Sequence, residues 1–213
     1  MTHRTLIPRD PWWHVAGLLS GLAFAMMLAF ARLDIDEFAA IDPLVSQHLI
    51  ALQNLGTVEI FLAITVLGST LGILLVTLAV AYFLRRNLNA VFKLFFLIIG
   101  AGATMGIAKT FVERARPDVL AWLDPLSSFS FPSGHATLTT ALYGFIAVES
   151  YRRGRARTAK SIGVILPVFV IILVALSRMV LSAHYFTDVI AGVLLGLFWL
   201  SVIYMLPRIR LGI

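Results

Sequence analysis

The chain has 213 residues, of which 60% are hydrophobic and only 13% are charged, and its formal net charge is +6. Soluble domains are about half apolar and about a quarter charged, so this composition excludes an ordinary water-soluble protein. A membrane-spanning helix needs about 20 apolar residues, which leaves room for about six spans and for no second domain. We therefore predict one membrane-embedded domain over residues 1–213. Cysteine is absent, which excludes disulfides, a thiolate nucleophile and cysteine-ligated metal sites.

The apolar runs, taken in chain order, predict an all-α polytopic protein with six transmembrane helices in one bundle. Trp12 and Trp13 open the first run, as aromatic residues often do at a membrane surface. Pairs of glycines four residues apart predict close helix–helix contacts, and they are Gly68/Gly72, Gly102/Gly106 and Gly192/Gly196. The predicted spans are residues 12–31, 58–84, 90–111, 136–150, 162–177 and 187–206.

The segment between the first two spans is more polar and predicts a short outer amphipathic helix over residues 43–54. Asp42-Pro43 is typical of a helix start, with Asp at the N-cap and Pro at the first helical position. Asn54-Leu55-Gly56 is typical of a helix stop. The apolar residues between them that recur at helical spacing are Val45, Leu49 and Leu52. Such a helix lies on the membrane surface or, alternatively, packs on the bundle as an ordinary loop helix.

The distribution of positive charge predicts the orientation in the membrane. With the N-terminus inside, 12 of the 17 lysines and arginines fall in inner segments, as the positive-inside rule requires. Both termini are then cytoplasmic, and residues 107–135 and 178–187 lie on the periplasmic or extracellular side of the inner (plasma) membrane. The basic run at 151–160 is an inner loop that can contact anionic lipids, so we predict no nucleic-acid partner.

Two polar clusters lie on the predicted outer side before the fourth span. Lys109 and Arg116 are seven residues apart, so they share a helix face if the third helix extends beyond the membrane. Pro117 should end that helix near Arg116. Ser133-Gly134 leads directly into the fourth span. A Ser-Gly turn at a helix N-terminus offers backbone N–H groups and the positive end of the helix dipole to an anion.

The third cluster consists of Arg178, His184 and Asp188 and is enclosed by apolar runs on both sides. Charged groups at the edge of a hydrocarbon layer are costly and therefore indicate function. His184 and Asp188 are four residues apart, so on a helix they share a face. A carboxylate bonded to one imidazole nitrogen leaves the other free as a nucleophile or base. The planar fork of Arg178 suits phosphate oxygens. The alternative is that these residues only tie a loop down.

Taken singly, each cluster has a structural alternative, such as a lysine that reaches the membrane surface, a helix end, a cap or an interfacial histidine. Taken together, the clusters place three cations, an anion-binding helix start, a carboxylate and two histidines, His135 and His184, on one side. This set suits a phosphate dianion, with an attacking group, an acid for the leaving group and an orienting carboxylate.

The motifs and their order resemble those of the type 2 phosphatidic acid phosphatase superfamily, which includes membrane lipid phosphatases, glucose-6-phosphatase and soluble vanadium haloperoxidases. The pattern of that family is Lys, six residues and Arg-Pro, then Pro-Ser-Gly-His, then Ser-Arg, five residues, His, three residues and Asp. The chain matches every position, at Lys109, Arg116 and Pro117, at Pro132, Ser133, Gly134 and His135, and at Ser177, Arg178, His184 and Asp188.

The resemblance implies a role for each of these residues. His184 is the nucleophile that becomes phosphohistidine, Asp188 orients it, and His135 protonates the leaving oxygen and then activates water. The phosphate-binding residues that it implies are Lys109, Arg116, Ser133, Gly134 and Arg178. The family is metal-independent, and the motif residues include no cluster of metal ligands, so we expect neither a metal nor a cofactor. Cations alone can supply the charge stabilisation that phosphoryl transfer needs.

By this resemblance, the expected function is hydrolysis of a membrane lipid phosphate monoester or pyrophosphate at the outer leaflet, of the undecaprenyl pyrophosphate or phosphatidylglycerophosphate type. A lipid A phosphatase is a near alternative, and the same site could instead transfer the phosphoryl group to a lipid acceptor. A non-enzymatic anion transporter is the alternative from another class. It predicts polar residues along the spans, which are almost free of them. Haloperoxidase activity is excluded because those enzymes are soluble. The head group, the chain length and the oligomeric state stay open.

Overall fold

The computed structural model describes residues 11–51, 53–117 and 128–207 of the chain. Within these ranges the regular structure is entirely helical, in agreement with the predicted all-α class. A short 3₁₀ turn, Val66–Gly68, separates the third helix from the fourth. The helices are α1 (Trp12–Leu33), α2 (Asp36–Ile50), α3 (Leu55–Thr65), α4 (Thr70–Leu84), α5 (Leu88–Val112), α6 (Gly134–Arg153), α7 (Arg157–Val180) and α8 (Phe186–Met205).

In the described part of the chain, four helices are long and apolar enough to cross a membrane, namely α1, α5, α7 and α8. They coincide with the first, third, fifth and sixth predicted spans. The second predicted span is wrong as one continuous helix, because α3 ends at Thr65 and α4 begins at Thr70. Ser69 lies between them, and its Oγ accepts a hydrogen bond from the N–H of Gly72 at 3.1 Å. A new helix therefore starts at a serine N-cap inside an apolar run.

Helix α6, the fourth predicted span, has 20 residues but is less apolar than the four helices named above. It lies against α5, α7 and α8, and its polar residues Thr137, Thr139 and Thr140 are all buried. A helix that is surrounded by other helices has little surface to present to lipid, so it can carry polar side chains that α1 or α7 could not. It is the exception to the expectation that the spans carry almost no polar residues.

Helices α6 and α8 approach each other closely at two glycines. A Cβ atom on Gly192 would lie 2.6 Å from the carbonyl oxygen of Ser133, and one on Gly196 would lie 2.8 Å from that of Thr137. The predicted close contact at this pair is confirmed, because only a residue without a side chain fits there. The predicted contact at Gly106 is wrong, because a Cβ atom there would meet nothing within 4 Å.

Helix α2 is longer than the predicted amphipathic helix and is oriented differently. It begins before the predicted start and continues through Pro43, so Asp42 is not its N-cap. Asp42 is instead buried and accepts hydrogen bonds from Thr187 at the start of α8. The apolar side chains of Ile41 and Leu44 are exposed. The helix thus contacts the bundle through a carboxylate while apolar side chains face outward.

The predicted helix stop that begins at Asn54 is a helix start. The Asn54 side chain accepts a hydrogen bond from the N–H of Thr57 at 2.9 Å, which is the contact of an N-cap, and α3 follows. Asparagine and glycine occur at both ends of helices, so the local sequence fits either reading. Of the predicted apolar positions, Val45 and Leu49 are half-buried, and Leu52 lies outside the described residues.

Buried apolar side chains join the helices in two clusters. Leu97, Phe145 and Ile203 belong to the larger one, which connects α5, α6 and α8. Phe131 and Leu195 belong to the smaller one, which supports the segment before α6. Between membrane helices such packing stabilises mainly through van der Waals contact. The surface in turn carries large exposed apolar residues, as lipid contact requires, among them Leu22, Phe83, Ile99, Ile165 and Phe169.

We expect Gly192→Ala to destabilise the protein much more than Gly106→Ala. The methyl group at Gly192 must displace a backbone carbonyl, and overpacking of this kind costs about 1–3 kcal/mol. In a chain of this size the midpoint of thermal unfolding falls by roughly 2–4 °C per kcal/mol. Gly106→Ala is the matched control, because its methyl group has open space. Equal midpoints for the two variants in one detergent would contradict the close contact of α6 with α8.

Candidate active site

The site residues predicted from sequence come from three separate segments and meet at one end of the bundle. Lys109 is in the last turn of α5, Arg116 follows that helix, and His135 is in the first turn of α6. Arg178 is in the last turn of α7, and His184 lies between α7 and α8. Hydrogen bonds join these segments, because the Arg116 side chain donates to the carbonyl of Ala183 and the N–H of Ser133 donates to the carbonyl of Asp188.

Arg116 reaches the site from an irregular segment and not from a helix. Helix α5 ends at Val112, where Glu113 adopts a left-handed backbone conformation with φ of 56°. The prediction that Lys109 and Arg116 share a helix face is therefore wrong. Hydrogen bonds position Arg116 instead, because its Nη1 donates to the carbonyl of Ala183 at 3.0 Å and its Nε to that of Ser128 at 2.9 Å. The Lys109 amine donates to the carbonyl of Phe129.

His184 and Asp188 interact, but they do not share a helix face. Helix α8 begins after Tyr185, so His184 precedes the helix while Asp188 lies in its first turn. Asp188 Oδ2 accepts the backbone N–H of Tyr185 at 3.0 Å, and His184 Nδ1 lies 3.6 Å from the same oxygen. Ser130 Oγ is within 3.3 Å of that nitrogen. Because Nδ1 faces these groups, the other ring nitrogen, Nε2, is the one left for a substrate.

The start of α6 and the end of α7 are fixed around this pair. The N–H of Ser133 donates to the backbone carbonyl of Asp188 at 3.0 Å, and Ser133 Oγ is the N-cap of α6, accepting from Ala136 N at 3.4 Å. The N-terminus of α6, with Gly134 in its first turn, therefore adjoins the histidine pair. The Arg178 side chain is buried, and its Nη1 donates to Thr65 Oγ1 at 2.8 Å.

Sequence reasoning missed several residues that hold the site together. Arg114 forms ion pairs of 2.7 Å with both Asp42 and Asp188, and Ser130 Oγ donates to Asp188 Oδ2 at 2.5 Å. Arg114 lies inside the first motif, but its spacing carries no signal that separates it from a surface arginine. No local signal marks the pairing of Asp42 either, because its place before Pro43 is typical of a helix N-cap.

The environment of His184 keeps its ring neutral. Its pKa is lowered from the ordinary value of 6.5 to about 4, and burial is the largest cause. The Asp188 carboxylate raises the pKa of His184, while the positive charges of Arg178 and Arg116 lower it further. A neutral imidazole has an unprotonated nitrogen, which nucleophilic attack requires. The hydrogen-bond partners assign the proton to Nδ1 and the lone pair to Nε2.

The arrangement can stabilise a transferred phosphoryl group without a metal ion. A neutral imidazole, a second histidine and three cations lie at the same end of the bundle, and such a set suits phosphoryl transfer with charge stabilisation. Among the described residues, no group of three or more histidine, aspartate or glutamate side chains is placed to hold a metal ion.

Comparisons with family models, with known sequences and with solved structures all indicate the same family. The family model of the PAP2 superfamily matches residues 90–210. Phosphatidylglycerophosphatase B of Bacillus subtilis is 30% identical over 180 residues, which are 82% of this chain and 86% of that protein. Decaprenylphosphoryl-5-phosphoribose phosphatase of Mycobacterium tuberculosis is 41% identical over 108 residues, which are 47% of this chain and 54% of that protein.

A solved structure is similar over most of the fold. The crystal structure of a transmembrane PAP2 type phosphatidylglycerolphosphate phosphatase from Bacillus subtilis superposes with a TM-score of 0.78 at 26% sequence identity. The superposition covers 88% of this chain and 94% of that one. The matched family range includes every site residue that the sequence motifs predict.

We expect His184 to remain neutral well below the pH at which a free histidine is charged. At about pH 5.5, a pKa of about 4 leaves the ring almost fully neutral, whereas a pKa of 6.5 leaves about nine-tenths of it protonated. Nitrogen NMR of histidine-labelled protein measures this, and the His184 signals are assigned by their absence in His184→Gln. Half-protonation near pH 6.5 would show that the ring is not buried as described.

Proposed function

Because the chain belongs to the PAP2 superfamily, as its motifs predict, we propose that it is a membrane lipid phosphatase whose active site is the cluster around His184. The observation that carries this proposal is the buried imidazole of His184, which lies 3.6 Å from Asp188 and is acted on by the positive charges of two arginines. Three cations come from different parts of the fold, and together they can surround one phosphate. They are Lys109, Arg116 and Arg178.

The proposed reaction has two steps. In the first, His184 Nε2 attacks phosphorus and a P–N bond forms while the P–O bond to the lipid breaks. His135, protonated beside the bound phosphate dianion, gives its proton to the departing oxygen. Asp188 stabilises the positive charge that the His184 ring gains. In the second step, water gives a proton to His135 as its oxygen attacks phosphorus, the P–N bond breaks, and phosphate leaves.

The remaining motif residues stabilise the transferred group. Arg116 and Arg178 offer planar forks that match phosphate oxygens, and Lys109 adds a third positive charge. Ser133 and Gly134 are at the N-terminus of α6, where backbone N–H groups and the helix dipole favour an anion. Charge developing on the equatorial oxygens is stabilised most strongly by donors that are already in place.

We propose a lipid phosphate monoester or pyrophosphate as the substrate, of the phosphatidylglycerophosphate or undecaprenyl pyrophosphate type. The relative aligned over most of its length is a phosphatidylglycerophosphatase, and one aligned over about half is a phosphatase of a decaprenylphosphoryl compound. Both names describe a phosphate on a long apolar tail. A lipid A phosphatase or a lipid phosphotransferase would use the same residues, and in the transferase a lipid hydroxyl would replace water in the second step.

We further propose that the chain crosses the inner (plasma) membrane six times, with both termini cytoplasmic and the site on the periplasmic or extracellular side. In this arrangement α3 and α4 together make one crossing and α6 makes another, in addition to the four apolar helices. The asymmetry of positive charge supports the orientation, since 12 of 17 lysines and arginines lie in the inner segments.

We expect His184→Ala to lose phosphate release entirely, and Arg116→Ala and Arg178→Ala each to lower kcat/KM by roughly 10²–10³-fold, as loss of one transition-state donor does. The assay is phosphate release by detergent-purified protein in EDTA. The panel contains phosphatidylglycerophosphate, undecaprenyl pyrophosphate, phosphatidic acid and lipid A.

Arg155→Ala is the control for this series, because it removes an exposed arginine at the opposite end of α6. It should behave like the unsubstituted protein. Near-normal turnover by His184→Ala would remove the proposed nucleophile, and release of phosphate only when metal is added would contradict the metal-independent reaction.

Cysteine labelling tests the orientation, because the natural chain has no cysteine. We expect a membrane-impermeant maleimide to label Asp34→Cys in intact cells and Arg155→Cys only after permeabilisation. Asp34 is exposed between α1 and α2, and Arg155 is exposed between α6 and α7. The reverse pattern would invert the proposed orientation, and labelling of both in intact cells would contradict the number of crossings.

A further inference from the structure

We propose that Asp42 and Arg114 are positioning residues of the active site, which fix the Asp188 carboxylate so that one of its oxygens is held toward His184. Neither residue belongs to the motif pattern. The inference rests on the proposed role of His184 as the nucleophile. It is carried by a closed set of ion pairs and hydrogen bonds that joins α2, the segment after α5 and the start of α8.

Arg114 bridges two carboxylates with two different nitrogens. Its Nη1 lies 2.7 Å from Asp188 Oδ1, and its Nη2 lies 2.7 Å from Asp42 Oδ2. The guanidinium carbon also lies 4.3 Å from the centre of the Tyr185 ring. The two ion pairs and the ring contact fix the plane of the guanidinium, because rotation about its axis would break one ion pair.

Asp42 binds the start of α8 in addition to its ion pair with Arg114. Its Oδ1 accepts the backbone N–H of Thr187 at 2.9 Å, and its Oδ2 accepts the Thr187 hydroxyl at 2.7 Å. The first N–H groups of a helix lack partners inside the helix, and a carboxylate near them is favourable. Arg114 Nη1 in turn donates to Thr187 Oγ1 at 2.8 Å, which closes the ring of contacts.

This closed set of contacts determines how the Asp188 carboxylate faces His184. Arg114 occupies Asp188 Oδ1, while Oδ2 accepts from the Ser130 hydroxyl and the Tyr185 N–H. The carboxylate cannot rotate without losing charged hydrogen bonds, so Oδ2 stays on the side of His184 Nδ1, 3.6 Å away. A fixed acceptor beside Nδ1 favours the tautomer with its lone pair on Nε2. The proposed attack on phosphorus requires that tautomer.

Asp42 also sets the charge that His184 experiences. Arg114 stays charged, because the two carboxylates outweigh the effect of burial and raise its pKa. Two carboxylates and one guanidinium leave one net negative charge, which can stabilise the imidazole as it gains positive charge. Without Asp42 the remaining pair is neutral. Asp42 and Asp188 are buried, at 1% and 0% exposure, so solvent screens the effect of removing the Asp42 charge only weakly.

Asp42→Asn is the sharpest test, because asparagine keeps an acceptor for the Thr187 N–H but removes the charge. We expect kcat to fall about tenfold or more with KM changed by less than about twofold, the signature of an interaction that acts on the chemical step. Asp34→Asn is the matched control, since Asp34 is exposed in the connection that precedes α2. It should keep the original kcat.

Two further measurements separate positioning from a merely structural role. In an Asp188→Asn background, Asp42→Asn should cause no further loss of the residual turnover, because it acts through Asp188. Nitrogen NMR, which needs no turnover, should show the Nδ1-protonated tautomer of His184 in the original protein and a mixture of tautomers in Asp42→Asn. Equal losses in both backgrounds, or an unchanged tautomer, would overturn the proposal.

Thr187→Val decides the question if Asp42→Asn does not fold. It removes the hydroxyl that joins Asp42 to Arg114 while keeping the shape of the side chain, and we expect kcat to fall severalfold with a similar KM. A kcat equal to that of Asp34→Asn would overturn the inference. Activity in His184→Ala would instead overturn the proposed function, so the two failures are distinguishable.

Discussion

Burial of the Asp188 carboxylate is the constraint on which the arrangement of the site depends. An ionised carboxylate without water is stable only if charged and hydrogen-bonded partners replace its hydration. Those partners come from three connecting segments, with Arg114 after α5, Ser130 before α6 and Tyr185 before α8. The backbone carbonyl of Asp188 also accepts from Ser133. Satisfying one buried residue therefore brings the two histidine-bearing segments together and orders the end of the bundle.

The arginines around the site fall into two physical situations. Arg114 lies between two carboxylates, so its charge is matched within the protein and it serves to fix geometry. The hydrogen bonds that orient Arg116 include two to backbone carbonyls, and Arg178 donates to the hydroxyl of Thr65. Hydrogen bonds of this kind hold a guanidinium in a fixed direction, and its planar fork matches the oxygens of an anion such as phosphate. Such preorganised charge is what phosphoryl transfer uses.

The sequence predicts which residues meet at the site better than it predicts the helices and connections that bring them together. Lys109, Arg116 and His135 are recognisable because their spacing to neighbouring polar residues is fixed within a short motif. The end of α5 at Glu113 cannot be recognised from the sequence, because a left-handed residue that is neither glycine nor asparagine carries no sequence signal. The pairing of Asp42 with Arg114 joins residues 72 positions apart, and no local pattern encodes a contact of that range.

The break between α3 and α4 illustrates why an apolar run need not form one helix. Gly68 lies at this break, where a Cβ atom would come within 2.7 Å of Thr139 Oγ1 and 3.1 Å of His135 Cδ2. Thr65, at the end of α3, accepts the hydrogen bond from Arg178. Irregular backbone at membrane depth is tolerated only where protein or water, and not lipid, surrounds it. The polar site supplies that surrounding, and the break in turn allows the backbone to approach His135 and to anchor Arg178. The break between α3 and α4 and the assembly of the site are thus consequences of the same packing.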